Sequence, residues 1–187
     1  MNTAVHKKMT TKDMVFIGMF AVLMAISAWI NIPGPVPFTV QTLGVFAAIG
    51  ILGGKRGTIA VIVYILMGLV GLPVFSGFKG GPGVIVGMTG GYIVGFIASA
   101  LVMWGIEKAF GRNKKILILS MFIGLVVCYA FGTAWFMAVY TRTTGSIGLG
   151  AVLSMCVLPF IIPDCVKIII AYYLTNRLEK FARYDLH

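Results

Sequence analysis

The chain has 187 residues, of which 59% are hydrophobic and 11% charged, with a formal net charge of +10 and a mean hydropathy of +1.01. So apolar a composition excludes a soluble globular domain and describes a polytopic membrane protein. The positive charge does not imply a nucleic-acid partner, because Lys and Arg sit in short clusters between apolar runs, as they do around membrane spans.

At about 20 residues per span plus loops, the length predicts an all-α integral membrane protein of six transmembrane helices in a single domain, 1–187. Cys128, Cys156 and Cys165 are odd in number and lie in apolar surroundings, so they read as small core residues rather than a disulfide framework. His6 and His187 lie at the two ends, which leaves no histidine for a metal site within the spans.

Residues 1–12 form a polar lead with Lys7, Lys8 and Lys12. The first span is expected to run from Asp13 to about Ile30. Its apolar run is too long for a signal peptide and lacks a small-residue cleavage site, so it is expected to be retained. Gly18, Ala21, Ala25 and Ala28 make a small-residue face, suited to close approach by another helix. Spacing alone leaves open whether that helix belongs to a partner subunit or to this bundle.

Residues 31–37 form an uncharged turn rich in Pro and Gly. A second apolar run extends from Val36 to about Gly53 and carries Gln41 near its start. A buried amide needs partners, so Gln41 either meets a ligand or caps a neighbouring loop. Gly54-Lys55-Arg56-Gly57 reads as a tight basic turn, and residues 58–72 as a short third span.

Residues 73–91 hold the longest non-helical signal, with Ser76-Gly77-Phe78-Lys79-Gly80-Gly81-Pro82-Gly83 and then Gly87-Met88-Thr89-Gly90-Gly91. The spacing matches neither a Walker A motif nor a dinucleotide fingerprint. The apolar content argues against disorder, and the segment is expected to be a lid packed over the bundle rather than a plain connector.

The fourth span is expected from Tyr92 to about Lys108, a basic turn at residues 112–115, and the fifth from Ile116 to about Tyr140. Residues 141–148 form a polar turn with Arg142, and residues 149–158 either begin the sixth span or lie along the interface. The remaining crossing is expected from Pro163 to about Leu178, followed by a tail, 179–187.

Pro163-Asp164-Cys165-Val166-Lys167 carries the two charges that cannot be placed near a membrane surface. Each such charge at mid-membrane costs roughly 2.5–3.5 kcal/mol on insertion scales. Three residues apart, they share one helix face. They are either a ligand or ion site, or a structural pair or two snorkelling side chains. A helix beginning at Pro163 would put Asp164 in its first turn, beside free backbone N–H groups and a cavity.

The basic residues sort by side. Lys7, Lys8, Lys12, Lys55, Arg56, Lys108, Arg112, Lys114, Lys115, Arg177, Lys180 and Arg183 fall on one side, against Lys79 and Arg142 on the other. The positive-inside rule then predicts both termini in the cytoplasm. Both special loops follow on the outer face.

Val36-Pro37-Phe38-Thr39-Val40-Gln41-Thr42-Leu43-Gly44, Gly71-Leu72-Pro73-Val74-Phe75, Thr89-Gly90-Gly91-Tyr92 and Pro163-Asp164-Cys165-Val166-Lys167 resemble, in this order, the signatures of the BioY family. These are biotin-specific substrate-binding (S) components of energy-coupling factor (ECF) transporters. The resemblance covers residues 13–178, with departures at Met88, at Ile93 and in the proline pattern before Asp164.

The resemblance implies a subunit of a prokaryotic cell (inner) membrane that captures biotin from outside. It also implies a transmembrane coupling protein and two cytoplasmic ABC-type ATPases as partners. No catalytic residue, metal or cofactor of its own is implied. In S components, small residues of the first helix contact the coupling protein, which here falls on Ala21 and Ala25.

Biotin has a ureido head with two N–H donors and one carbonyl, apolar rings, an aliphatic tail and a carboxylate. Asp164 can accept a ureido N–H. Lys167 can donate to the ureido carbonyl or neutralise Asp164, and its meeting the ligand carboxylate instead stays open. Gln41 can donate and accept. Phe38, Tyr92 and Trp135 are candidate walls, and Thr89 and the glycines after it can supply donors.

The alternatives are an S component for another vitamin, a solitary proton-coupled carrier with Asp164 titrating, and a membrane enzyme. The last is weak, because Asp13, Glu107, Glu179 and Asp185 all lie at span ends or beyond and offer no second intramembrane acid.

Overall fold

The computed structural model describes residues 9–34 and 36–184, with side chains described as far as Leu178. His6, Lys7, Lys8, Asp185 and His187, and the side chains of Glu179, Lys180 and Arg183, lie outside what is described. The order is α1 (Thr11–Trp29), β1 (Asn31–Ile32), β2 (Phe38–Thr39), α2 (Gln41–Leu52), α3 (Gly54–Leu69), α4 (Pro82–Val86), α5 (Gly90–Phe110), α6 (Lys114–Thr143), α7 (Leu149–Cys156) and α8 (Leu158–Tyr184). Four of these, α1, α5, α6 and the part of α8 at Leu158–Leu178, are long and apolar enough to cross a membrane.

Helix α1 begins with a capping box. The Thr10 hydroxyl accepts from the Asp13 N–H at 3.2 Å, and the Asp13 carboxylate accepts from the Thr10 N–H at 3.0 Å. Asp13 also holds the Arg56 guanidinium at 2.8 Å, tying the start of α1 to the first turn of α3. Lys55 and Arg56 therefore belong to a helix and not to a turn. The chain reverses at Gly53, whose φ of 84° suits glycine.

The second apolar run is not one helix. Its early residues Phe38 and Thr39 instead pair antiparallel with the preceding stretch in a hairpin, Asn31 opposite Thr39 and Ile32 opposite Phe38. The 12 residues of α2 that remain are buried along almost their whole length, packed among α8, α3, α1 and α5. At 1.5 Å per residue α2 is about 18 Å long, short of the ~30 Å hydrocarbon core. Its apolar side chains are satisfied by neighbouring helices, which explains why the run is apolar without being span-length.

Residues 73–91 pack onto the end of this core. Val74 and Phe75 are buried, and Phe75 meets Tyr64 edge-on with centroids 5.7 Å apart. The Trp29 indole N–H donates to the Pro73 carbonyl at 2.8 Å, and the Trp29 ring stacks on Phe78 at 5.0 Å. The expected lid is thus pinned by α1 and α3.

Two further expectations are corrected. Pro163 does not start a helix: it lies inside α8, which begins five residues earlier after a break at Val157 (φ −126°, ψ −57°). Pro159 occupies the first turn, where a missing N–H costs nothing, and its carbonyl is the one Pro163 leaves without a helical donor. Asp164 is therefore not compensated by free helix N–H groups.

The second correction concerns α1. Ala21 and Ala25 are 0% and 3% exposed and sit in the core, whereas Met14, Val15, Met19, Val22, Leu23 and Ile26 face outward. A helix face completed by α2 and α3 cannot also be a docking face. Ala21→Trp should accordingly overpack the core, at about 1–3 kcal/mol or more, and lower the melting temperature in detergent. Val22→Trp, one residue on and 49% exposed, should leave it within a degree or two of the parent. Equal melting of the two variants would contradict the inward placement.

Candidate ligand-binding site

A cavity of about 400 Å³ opens at the end of the bundle that carries the hairpin and the glycine-rich segment. Its floor is built by one charge network. Asp164, 3% exposed, is reached from three elements. Oδ1 accepts from Lys167 Nζ at 2.8 Å and from Thr42 Oγ1 at 2.9 Å, and Oδ2 accepts from the Tyr129 hydroxyl at 2.5 Å. Lys167, 7% exposed, also donates to the Thr39 carbonyl at 2.6 Å and lies 4.3 Å from the centre of the Phe38 ring. That ring face adds a cation–π attraction.

The sequence explains the convergence. Positions 164 and 167 are one helical step apart on α8, so both side chains face the same neighbours. Residue 42 lies in the first turn of α2, next to the hairpin that supplies the Thr39 carbonyl. Taking two charges out of water is costly unless further hydrogen bonds complete both ions, and here α2, α6 and the hairpin each contribute one.

The network leaves valences unused beside the cavity that Asp164, Lys167 and Gln41 line. A carboxylate has about four acceptor positions and an ammonium three donors. Three of the Asp164 positions and two of the Lys167 donors are taken. Gln41 Nε2–H donates to the Tyr64 hydroxyl at 2.9 Å, which in turn donates to the Val74 carbonyl at 3.1 Å. That chain fixes the amide, and its Oε1 has no hydrogen-bond partner among the described residues.

Of the residues singled out in the sequence, Asp164, Lys167, Gln41, Thr89 and Tyr92 line the cavity. Phe38 and Trp135 do not. Phe38 stands behind the lining, stacked on Phe160 at 6.0 Å and beneath Lys167. The Trp135 indole donates to the Gly87 carbonyl at 3.0 Å and so braces the base of the glycine-rich segment.

The glycines after Thr89 act by smallness. A Cβ on Gly91 would overlap Trp135, and one on Gly90 would overlap the Ile85 carbonyl. Gly132 on α6 likewise leaves room for the Tyr92 ring, which turns its hydroxyl to within 3.5 Å of Thr133.

Tyr129, Thr42, Tyr64, Phe75, Phe96 and Lys79 were not singled out. Tyr129 had a readable signal, a hydroxyl within a long apolar run, of the same kind that marked Gln41. Thr42 and Phe75 lie inside stretches that were noted without being resolved residue by residue. The walls above the network are apolar, from Phe75, Val84, Ile93, Phe96 and Phe160. The cavity therefore suits a small ligand with a neutral hydrogen-bonding head and an apolar body.

Lys167→Met should leave Asp164 as an uncompensated buried charge and destabilise the fold by about 3–5 kcal/mol. Combining it with Asp164→Asn should recover much of that loss in a thermal melt. A double variant no more stable than Lys167→Met alone would show that the two charges do not compensate each other.

Comparison with known proteins gives a consistent result. The BioY family model matches residues 1–184. The "Biotin transporter BioY" of Thermotoga maritima is 38% identical over 170 residues, covering 90% of this chain and 96% of that protein. The "Probable biotin transporter BioY" of Pyrococcus horikoshii is 34% identical over 172 residues, covering 91% and 98%. Among solved structures, the S-component for biotin from an ECF-type ABC transporter superposes with a TM-score of 0.81 at 26% identity, over 92% of this chain and 95% of that one.

Proposed function

The chain belongs to the BioY family, and from that premise we propose that it is the biotin-binding S component of an ECF-type, ATP-driven uptake transporter. The observation that carries the reading is the Asp164–Lys167–Gln41 floor, whose unused valences complement a ureido ring. The free acceptor position of Asp164 and the Gln41 carbonyl oxygen each take one ureido N–H. The third Lys167 donor takes the ureido carbonyl. Thr89 and Tyr92 border the apolar rings, and Phe38 and Trp135 support the site from behind. The cavity volume falls within the roughly 300–1,000 Å³ of small-molecule sites.

In this reading α1, α2, α3, α5, α6 and α8 make the six passes of a multi-pass cell-membrane protein, the short α2 lying within the protein core with the hairpin completing its depth, and α4 and α7 confined to one side. The charged staples support both termini being cytoplasmic. Asp13–Arg56, Glu107–Arg112 and the Glu107 carboxylate on the Gly54 N–H gather at the end of the bundle away from the cavity. The cavity then opens outward. Translocation would be powered by a coupling protein and two cytoplasmic ATPases, with no catalytic residue or cofactor in this chain. The outward apolar side chains of α1 are free of the core and available to lipid or to that coupling protein.

Calorimetric titration of the purified protein with biotin, thiamine and riboflavin tests the reading. Biotin alone should bind tightly, and tight binding of another vitamin with no response to biotin would reject it. Asp164→Asn should weaken biotin at least about tenfold, because a charge-assisted hydrogen bond of about 1.5–3 kcal/mol is replaced by an amide that competes as a donor. Unchanged affinity would remove Asp164 from contact with the ligand. Uptake in cells lacking the ATPases, abolished by an uncoupler, would favour the solitary carrier.

A further inference from the structure

Among the described residues, three charged side chains line the cavity: Asp164, Lys167 and Lys79. The first two neutralise each other at 2.8 Å. Lys79 is exposed, and no acid among the described side chains pairs with it. Asp13 is held by Arg56, Glu107 by Arg112 and Asp164 by Lys167. The cavity thus has a compensated, buried floor and one uncompensated cation at its rim.

The backbone that presents Lys79 is fixed. The Phe75 N–H donates to the Lys79 carbonyl at 2.9 Å, closing a tight turn through Gly77 (φ 72°) and Phe78 (φ 57°). Phe75 anchors one side of that turn in the core, at 1% exposed, and Phe78 stacks on Trp29 on the other. Just beyond, the Gly81 N–H donates to the Gly68 carbonyl at 2.7 Å. The exposed side chain of Lys79 is thus rooted in a held loop.

We propose that Lys79 is the cation that receives the ligand's carboxylate, so that the ligand stands with its neutral head on Asp164, Lys167 and Gln41 and its anionic end at the rim. This leaves Lys167 wholly to the floor network, where its two observed hydrogen bonds already orient it toward Asp164 and Thr39. The assignment rests on the biotin reading above and deepens it: the site selects for a free acid, not merely for a ureido ring.

The test is calorimetry of the full chain and of Lys79→Met and Lys79→Arg, each titrated with biotin and with biotinamide, which keeps the head and tail but has no charge. At low ionic strength the parent should bind biotin about five- to tenfold more tightly than biotinamide, the scale of one partly exposed ion pair with hydrogen bonding. Lys79→Met should weaken biotin by that factor and leave biotinamide unchanged, which also reports that the variant is folded. Lys79→Arg should keep the preference. A parent that binds both compounds equally, or a Lys79→Met variant that still prefers the acid, would overturn the assignment while leaving the biotin reading standing. A parent that binds neither would overturn the biotin reading and this assignment with it.

Discussion

The structure depends on keeping one carboxylate and one ammonium ionised inside an apolar helical bundle. The Coulomb attraction of Asp164 and Lys167 at 2.8 Å is not sufficient, because desolvating both ions costs several kcal/mol each after relaxation. The remainder comes from directed hydrogen bonds, which tie α8 to α2 through Thr42, to α6 through Tyr129 and to the hairpin through Thr39. A second chain from Gln41 through Tyr64 to Val74 ties α2 to α3 and to the glycine-rich segment. The groups that make the floor of the cavity are therefore the same groups that hold its walls in register. Fold and site cannot be separated at this end of the molecule.

Much of this was readable because membrane spans make polar residues conspicuous. Asp164, Lys167 and Gln41 stood out by the cost of burying them, and all three line the cavity. What failed has identifiable causes. Pro163 signals a helix start only if nothing helical precedes it, and the break that decides the matter is at Val157, a residue with no breaking character. The Ala21 and Ala25 face fits any close helix, and sequence cannot say whether the neighbour is α3 or another subunit. The second apolar run looked like a span because a helix buried by protein and a helix buried by lipid share one composition.

The aromatic residues divide similarly. Tyr92 lines the cavity, but Phe38 and Trp135 act one layer behind it. An aromatic ring is favoured equally against a ligand and against another ring, so its type does not reveal its layer. Lys79 reads in the sequence only as a loop charge, for the opposite reason. An exposed loop lysine is ordinary, and only the cavity beside it, with the acids among the described side chains all occupied, gives it meaning.

The same packing bears on how a bound ligand could leave. Below the floor, the inward residues are Val45, Phe46, Ala48 and Ile49 of α2 with Ile168 and Ala171 of α8, each at most 2% exposed. Among the described residues, the buried hydroxyls further along, Thr175, Thr58 and Ser120, are bonded to helix carbonyls, and Ser99 alone has no partner. A ureido ring moving that way would exchange the three hydrogen bonds proposed for it for at most one, at Ser99, and each buried polar group left unpaired costs about 1–3 kcal/mol. The chain as folded therefore holds a polar-headed ligand at one end without offering it a path to the other. Passage requires the helices to reorient relative to the membrane or to one another. Nothing in the floor network itself supplies that work, since its two charges are already matched, and the proposed dependence on partner subunits accords with this.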